Sequence, residues 1–198
     1  MSKLPFSQAA ENNKEPILAV LHDTLVDSRT VLEIGSGTGQ HAVWFAGHLP
    51  HLKWQPSEQQ QNLESLNLRL DEEAPDNVLD AVVLDVADDP WPIEPMDAVF
   101  AANCVHIMSW GHVEKMFRGL GKVIAPGGYL ILYGPFKYKG AFTSSSNAEF
   151  EQWLKGNDEV SGIRDFEKMD ALANTIGLTL QKDHKMPSNN QCLVWQKK

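Results

Sequence analysis

The stretch VLEIGSGTGQ, residues 31–40, decides the fold class of this 198-residue chain. An apolar, strand-like run leads into three glycines at alternate positions, Gly35, Gly37 and Gly39, and a helix-like segment follows them. Glycine at such a place lets the backbone turn tightly and lets a ligand approach the main chain, because no Cβ stands in the way. The pattern therefore predicts a strand–loop–helix unit that binds a ligand, and we expect Glu33 and the three glycines to take part in binding.

The spacing of the glycines excludes two common nucleotide-binding loops. A dinucleotide-binding loop reads G-x-G-x-x-G, whereas this chain has Gln40 where that pattern requires its third glycine. A phosphate-binding P-loop ends in Gly-Lys-Ser or Gly-Lys-Thr, and that ending is absent too. The loop thus favours a cofactor without a pyrophosphate, and S-adenosylmethionine (SAM) meets that description. A nicotinamide-dependent oxidoreductase is disfavoured on the same ground.

Polar side chains follow the next three strand-like runs. Glu58 lies 19 residues after Gly39, near the spacing at which a carboxylate meets the hydroxyls of an adenosine ribose; an exposed glutamate in a polar run is the alternative. Asp85 closes the third run, where it could accept from an adenine amino group while the Val86 backbone contacts the ring edge. Asn103 follows the fourth run. Because open α/β sheets bind ligands at the carboxyl ends of their strands, we predict one cofactor site from these residues.

Short apolar runs alternate with helix-like segments along most of the chain. The runs lie at residues 30–34, 52–55, 80–84, 98–102, 129–133, 178–180 and 191–195. Helices are expected at 16–25, 40–48, 113–124 and within 158–174, with a turn at 126–128 between the third helix and the fifth strand. Seven strands with intervening helices predict an α/β fold with a mostly parallel sheet covered on both faces, in one domain.

The amino-acid composition limits the kinds of molecule that the protein is expected to bind and its expected location. Lys and Arg number 17 against 26 Asp and Glu, which gives a net charge of −9, so nucleic acid is disfavoured and a small molecule is favoured. Only two cysteines occur, Cys104 and Cys192, and their separation builds neither a metal site nor a disulfide framework. The sequence has no signal-peptide-like stretch and no 18-residue apolar run, so we expect no membrane contact and a cytoplasmic protein.

At these residues the chain resembles the class I SAM-dependent methyltransferases. The resemblance covers residues 30–134 and includes the glycine loop, the strand-end acids and the Pro-Gly-Gly turn at 126–128. It implies a Rossmann-like, seven-stranded, mostly parallel sheet whose last strand is antiparallel, and the terminal run 192–195 suits that strand. It also implies that SAM donates a methyl group and is released as S-adenosylhomocysteine.

Further stretches are similar to one branch, the methyltransferase-like 26 family, a family of unknown function. The matching stretches are NKEPI at 13–17, WQPS at 54–57, YGPF at 133–136, SNAEF at 146–150, GIRD at 162–165 and MPSNN at 186–190. Glu58 is a departure, because similar chains often have aspartate there. The resemblance implies a single domain over residues 1–198, with 1–28 as a helical segment over the cofactor cleft. It does not indicate the methyl acceptor.

Two residues, His106 and Tyr133, are predicted to be catalytic. A general base is needed only where the methyl acceptor must lose a proton, as a hydroxyl or a phenol must. His106 follows the fourth strand-like run and is expected to face the cleft, with a packed or solvated histidine as an equal alternative. Tyr133 could line the same cleft, although an aromatic residue that ends a strand is more often core.

Four residues outside the cofactor-binding region are candidates for contact with the acceptor: Lys14, Arg164, Asn189 and Asn190. If they converge over the cleft, Arg164 could hold an acidic acceptor through two hydrogen bonds. A structural ion pair of Arg164 with a neighbouring acid is the alternative. Two functions therefore stand: a SAM-dependent methyltransferase acting on a small molecule, and a SAM-binding module or partner subunit without catalysis. The intact glycines and the ribose acid favour the first.

Overall fold

A seven-stranded sheet forms the centre of the protein, which a computed structural model describes for residues 4–198. The strands of these residues are β1 (Thr30–Ile34), β2 (Lys53–Glu58), β3 (Val82–Val83), β4 (Met96–Ala102), β5 (Ile124–Gly134), β6 (Phe136–Tyr138), β7 (Ala141–Phe142), β8 (Arg164–Asp165), β9 (Leu178–Met186) and β10 (Asn190–Lys197). Seven of them lie in the order β3-β2-β1-β4-β5-β10-β9. Strand β10 is antiparallel to both neighbours, and the other pairs are parallel. The predicted sheet with its antiparallel last strand is confirmed.

Six α-helices surround this sheet in the described residues: α1 (Gln8–Thr24), α2 (Gln40–His48), α3 (Leu63–Glu73), α4 (Trp110–Val123), α5 (Ser145–Asn157) and α6 (Phe166–Thr175). Helix α4 shows how the sequence specifies them. Ser109 caps its start by accepting a hydrogen bond from the His112 amide at 3.2 Å. Its buried residues recur three or four positions apart on one face: Val113, Met116, Phe117, Leu120 and Val123.

Strand β5 divides its side chains between two buried clusters. Leu130 and Leu132 pack with residues of α4 and α6, whereas Ile131 and Tyr133 pack with residues of α1 and α2. Successive side chains of a strand point to opposite faces, so a strand that is apolar at every position must be covered on both faces. The helices provide this cover, as the continuous apolar runs predict.

The strand order reverses between β1 and β4. Strands β2 and β3 lie on one side of β1, and β4 and β5 lie on the other. The connections leave the carboxyl ends of β1 and β4 in opposite directions, and a crevice opens between them. Gly35, Glu58 and Asn103 all lie at this edge of the sheet, because each ends or follows one of these strands.

Helix α1 begins at residue 8, well before the predicted start at residue 16. Ser7 caps it by accepting from the Ala10 amide at 3.3 Å. Pro16 lies inside the helix, where it removes one backbone donor. Ile17, Val20 and Leu21 are buried immediately after it, so apolar packing holds the helix together across the proline.

The sequence patterns do not predict α3, α5 or a second sheet of order β7-β6-β8. Each of these two helices buries only two residues, so its apolar period is weak. The turn predicted at 126–128 lies within β5, where pairing with β4 passes from Ile124 to Tyr129 and the intervening residues bulge out. Residues 1–3 of the predicted N-terminal segment lie outside the described residues. No helix within 4–198 has the length and apolarity needed to cross a membrane.

Candidate functional site

A cleft of about 630 Å³ opens at the carboxyl ends of β1, β2 and β4. Its lining includes seven residues of the predicted cofactor site or its neighbours in the chain: Gly35, Ser36, Gly37, Glu58, Asp85, Val86 and Asn103. Further lining comes from the start of α1 and from residues 104, 107–109, 112, 158 and 160. The structure therefore brings together, in one cleft, predicted residues as far apart in the chain as Gly35 and Asn103, which are separated by 68 positions.

The three glycines of the loop have left-handed backbone conformations, with φ of 70° at Gly35, 55° at Gly37 and 75° at Gly39. They differ in what a side chain would meet. A Cβ on Gly35 would lie 2.7 Å from Cys104 Sγ, so this glycine permits close packing of the loop that follows β4. A Cβ on Gly37 would meet no atom within 4 Å and would enter the cleft. Only Gly37 thus leaves open space where a ligand can approach the backbone.

Glu58 ends β2 and connects its carboxylate to the glycine loop. Its Oε2 accepts from the Gly37 amide at 2.8 Å, and its Oε1 accepts from the Gln59 amide at 2.8 Å and from Asn62 Nδ2 at 3.2 Å. The side chain is buried yet contributes to the cleft lining. A carboxylate fixed in this way presents its remaining accepting capacity to the cleft, as contact with two adjacent hydroxyls requires.

Glu33 lies beneath the loop and does not line the cleft. Its Oε2 accepts from Trp54 Nε1 at 3.0 Å and from Ser36 Oγ at 2.9 Å. Burial raises the pKa of Glu33 to about 7, because desolvation of the carboxylate outweighs these two hydrogen bonds, and the nearby charge of Glu58 raises it further. Glu33 therefore holds the glycine loop through its hydrogen bond with Ser36. Its predicted contact with a ligand stays a prediction.

Asp85 and Val86 form the wall of the cleft beyond β3. Asp85 Oδ1 accepts from the Ala87 amide at 2.8 Å, and Oδ2 accepts from Gln59 Nε2 at 3.3 Å. These bonds set the carboxylate beside the residues that follow Glu58. The acids that end the second and third predicted strands therefore lie on one side of the same cleft.

Asn103 follows β4 and has a left-handed φ of 57°, which is rare for a residue other than glycine. Its amide donates to the Tyr133 carbonyl at 2.8 Å, which anchors it to the neighbouring strand. Such a conformation costs about 1–3 kcal/mol and persists only where the surroundings enforce it. The strained residue lies in the cleft lining, opposite the glycine loop.

His106 does not line the cleft, and its side chain is only 3% exposed. It packs edge-on to Phe150 with ring centroids 5.4 Å apart, and its Nδ1 has no hydrogen-bond partner in the described residues. Burial, and then the charge of Arg164, lower the pKa of His106 to about 4. The ring is therefore neutral at physiological pH, and one of its nitrogens is unpaired. Its predicted catalytic role stays a prediction.

Tyr133 is buried and its hydroxyl belongs to a polar chain between the helices and the last hairpin. The hydroxyl accepts from Asn190 Nδ2 at 3.1 Å, and the polar side chain of Asn13 in α1 lies near it. Asn13 Oδ1 lies 2.7 Å from Nε2 of His41, which lines the cleft. Burial raises the pKa of Tyr133. The expected exposure of Tyr133 in the cleft is not seen, because this chain holds the hydroxyl inside the protein.

The four predicted acceptor-binding residues do not converge over the cleft. Lys14 pairs with Glu11 and lies with its Nζ 4.0 Å from the centre of the Trp44 ring. Asn189 and Asn190 line a separate cavity of about 630 Å³ beside β7 and β9. This cavity shares no lining residue with the cleft.

Arg164 neither lines the cleft nor forms the ion pair considered as its alternative. Its Nε donates to the Val105 carbonyl at 2.8 Å, and its Nη2 donates to the carbonyls of Met108 and, at 3.2 Å, Val160. All three acceptors are main-chain oxygens. The guanidinium thus holds the loop after β4 against the segment before β8, and it is not itself part of the cleft lining.

The sequence does not predict several residues whose hydrogen bonds hold the glycine loop and the start of α1 in place beside the cleft. Gln40 Oε1 accepts from the Ser7 amide at 2.6 Å, and Arg69 donates to the carbonyls of Thr38 and Pro5, each at 2.7 Å. These bonds join the segment before α1 to the glycine loop across more than 30 positions. The contacts depend on the folded arrangement, and neither periodicity nor local motif spacing reports them.

Comparison with solved structures shows where this fold occurs. An O-methyltransferase family protein from Burkholderia thailandensis is 14% identical, with a TM-score of 0.80 over 93% of this chain and 56% of that one. Human N-acetylserotonin methyltransferase, solved with SAM, is 14% identical, with a TM-score of 0.80 over 96% of this chain and 53% of that one. An O-methyltransferase family 2 protein from Planctomyces limnophilus, solved with apigenin, is 14% identical, with a TM-score of 0.81 over 96% and 58%.

The likeness to these proteins establishes the Rossmann-like fold, and the chain spans a little over half of the length of each. A family model with the description "Protein of unknown function (DUF938)" matches residues 4–197, nearly the whole chain. The chain therefore belongs to the DUF938 family.

Proposed function

We propose that this protein is a SAM-dependent methyltransferase that acts on a small-molecule acceptor. The observation that carries the proposal is the convergence of an open glycine position, Gly37, with the strand-end acids Glu58 and Asp85 in one cleft. A ligand that needs a bare backbone, a ribose acceptor and an adenine acceptor in this order matches SAM. The names of the structural neighbours, which are O-methyltransferases, support the same class.

In this proposal the residues hold the cofactor in three places. Gly37 and Asn103 lie on either side of the portion of SAM next to the glycine loop. Glu58 accepts from the ribose hydroxyls, and Asp85 and the Val86 backbone contact the adenine. When bound, SAM supplies an activated methyl group that is transferred by in-line displacement. The protein's main contribution is then to align the acceptor and to exclude water, an effect worth up to about 7–11 kcal/mol in favourable cases.

The acceptor in this proposal is a small molecule, because the cleft is concave and the chain carries a net charge of −9 that disfavours nucleic acid. A cytoplasmic setting and membership of the methyltransferase-like 26 branch belong to the same proposal. Both rest on the sequence: the two cysteines are unpaired, and the matched stretches extend from residue 13 to residue 190.

His106 is the proposed general base for an acceptor that must lose a proton. Its unpaired Nδ1 supports this role, because a neutral imidazole nitrogen can accept a proton. The lowered pKa of about 4 and the burial of the ring outside the cleft lining count against it. Turnover that depends on it should be constant from pH 8 to about pH 5 and should fall towards pH 4. In His106→Ala, we expect turnover to fall at least about tenfold while SAM affinity stays within about twofold. Unchanged turnover across the pH range would remove His106 from the mechanism.

Methyl transfer itself is tested with SAM labelled in its methyl group and a small-molecule cell extract. The wild type should place label in an extract component and release an equal amount of S-adenosylhomocysteine, and Gly37→Arg, the matched control, should do neither. If SAM binds but no label is transferred from extracts of several sources, the non-catalytic SAM-binding module becomes the better function. If neither SAM nor S-adenosylhomocysteine binds, both functions fail.

A further inference from the structure

The charges that line the cleft have one sign. Its lining contains three carboxylates, those of Glu58, Asp85 and Asp158, and two histidines, His41 and His112. No lysine or arginine of residues 4–198 is part of this lining. An anionic acceptor with no positive group of its own would therefore lose water and meet carboxylates, with no lysine or arginine to pair with.

Neither cation that the sequence places near the cleft is available to a ligand, since Lys14 pairs with Glu11. The Arg164 guanidinium donates to three main-chain carbonyls, those of Val105, Met108 and Val160. Those carbonyls belong to the cleft wall, so Arg164 lies behind the wall. Burial lowers the pKa of Arg164, which is consistent with its place inside the protein.

The third carboxylate lies apart from the two assigned to the cofactor. Asp158 follows α5, and its Oδ1 accepts from the Val160 amide at 3.2 Å. Within residues 4–198 its Oδ2 has no hydrogen-bond donor, so this oxygen is free to face a ligand. Asp158 is exposed at the mouth of the cleft, so its effect on a charged ligand is partly screened by water.

Apolar side chains stand next to Asp158 at the same mouth. Ile107 is 58% exposed and Val160 is 54% exposed, and both line the cleft. Their positions are fixed, because Ser161 Oγ donates to the Ile107 carbonyl at 2.7 Å and Arg164 donates to the Val160 carbonyl. Exposed apolar side chains beside a single carboxylate fit a molecule with an apolar body and a positive or neutral polar group.

From these observations we infer that the methyl acceptor has an apolar body and a polar group that is cationic or neutral, and that Asp158 is the residue that selects against an anion. The inference rests on the proposed function, since it assigns the Glu58 and Asp85 side of the cleft to SAM and the Asp158 side to the acceptor. It replaces the acidic acceptor that the sequence alone had placed against Arg164.

Three phenols of similar size test this charge preference: tyramine, which is a cation, 4-ethylphenol, which is neutral, and 3-(4-hydroxyphenyl)propanoate, which is an anion. Each is titrated into protein saturated with S-adenosylhomocysteine at low salt, and the dissociation constant is followed by ligand-observed NMR. Tyramine should bind about two- to fivefold more tightly than 4-ethylphenol, and the anion should bind more weakly than both. High salt should reduce the differences.

Variants at residue 158 locate the effect. Asp158→Asn keeps an oxygen that can accept from the Val160 amide and should bring tyramine and 4-ethylphenol to within about twofold of each other. Asp158→Lys should reverse the order of tyramine and the anion. Glu159→Lys is the matched control, because Glu159 is the exposed neighbour and does not line the cleft, and it should leave the order unchanged.

The outcomes separate this inference from the function on which it rests. If S-adenosylhomocysteine does not bind, the proposed function and the inference both fail. If it binds and the anion binds as tightly as tyramine, the inference alone is overturned. The same conclusion follows if none of the three phenols binds to the loaded protein, or if Glu159→Lys changes the order as much as Asp158→Lys does.

Discussion

The two halves of the cleft are built in different ways. The half that we assign to SAM, called the cofactor half, is lined by residues 34–38, 58, 59 and 84–86, which lie on strand ends and on one loop whose glycines are close in sequence. The half that we assign to the acceptor, called the acceptor half, comprises residues 104–109 and 158–164, of which 104, 107–109, 158 and 160 line the cleft. It depends on hydrogen bonds between segments that are more than 50 positions apart. The cofactor half can therefore be recognised in the sequence as a motif, whereas the acceptor half forms only when the chain has folded.

The acceptor half is held by four consecutive main-chain oxygens. The carbonyls of residues 105, 106, 107 and 108 accept, in turn, from Arg164 Nε, the Gly162 amide, Ser161 Oγ and Arg164 Nη2. Four donor groups, on residues 161, 162 and 164, thus hold the loop that follows β4. The acceptor half therefore depends on residues 161–164, and the cofactor half makes none of these bonds.

The largest expected effect separates two neighbouring glycines. In Gly37→Arg the side chain would enter the cleft, so SAM affinity should fall more than about a hundredfold. Stability should fall only by about 1–2 kcal/mol, the cost of a side chain at the left-handed φ of 55°, because no atom lies within 4 Å of the new Cβ. In Gly35→Ala the new Cβ would meet Cys104 Sγ at 2.7 Å, so unfolding should become easier by about 2–4 kcal/mol. Calorimetry and urea unfolding measure the two effects; equal losses of stability would contradict the distinction.

Glu33 gives the next effect, in the pH dependence of stability. Its pKa is raised from 4.5 to about 7 in the folded state, so the folded protein binds its proton more tightly than the unfolded chain between these values. This contribution to stability is present below about pH 4.5 and is lost as the pH rises through 7. Relative to Glu33→Gln, which has no such titration, the wild type should lose on the order of 3 kcal/mol between pH 4.5 and 8.

Urea unfolding of both proteins across this range provides the measurement. The difference between them isolates Glu33 from His41 and His106, whose lowered pKa values act in the opposite direction. Parallel stability curves for the two proteins would show that Glu33 is not desolvated in the way its burial implies.

Arg164 tests whether the acceptor half is independent of the cofactor half. Arg164→Ala removes bonds to three carbonyls and should lower stability by about 2 kcal/mol, whereas Arg118→Ala, an exposed control on α4, should change it by less than about 0.5 kcal/mol. SAM affinity should change by less than about threefold. A loss of SAM affinity as large as that of Gly37→Arg would show that the two halves act as one unit.

Glu58 gives the smallest effect. Glu58→Gln retains one oxygen that can accept from the Gly37 amide but loses the charge and one acceptor for the ribose hydroxyls. SAM affinity should fall about tenfold, as expected for one hydrogen bond to a charged group. Glu64→Gln, an exposed residue of α3, is the control and should bind as the wild type does. Equal affinity of all three proteins would remove Glu58 from the cofactor site.

The sequence predicts which residues meet in the cofactor half, because the signals for their positions are local; that they bind a cofactor stays a prediction. Gly37, Glu58, Asp85 and Asn103 each follow an apolar run, and parallel strands bring such positions to one edge. Glu33 shows the limit of this approach: it adjoins the loop in sequence, yet the alternation of side chains along β1 turns it into the interior.

The acceptor half could not be predicted, because the positions of its side chains depend on hydrogen-bond partners that are distant in the sequence. Arg164 carries the charge that suits an acidic ligand, but the carbonyls of residues 105, 108 and 160 decide where its guanidinium points. The fold also decides where Asn189 and Asn190 lie, since the hairpin between β9 and β10 places them at another cavity. Helix α5, which positions Asp158, has too weak an apolar period to be seen in the sequence.

Calorimetric titration with SAM, S-adenosylhomocysteine and NAD, under one set of conditions, tests the central claim most directly. The cleft described above predicts micromolar binding of SAM and S-adenosylhomocysteine, no binding of NAD, and loss of the first two in Gly37→Arg. Absence of binding of both sulfur compounds to the folded wild-type protein would contradict the assignment of the glycine loop and, with it, the proposed function.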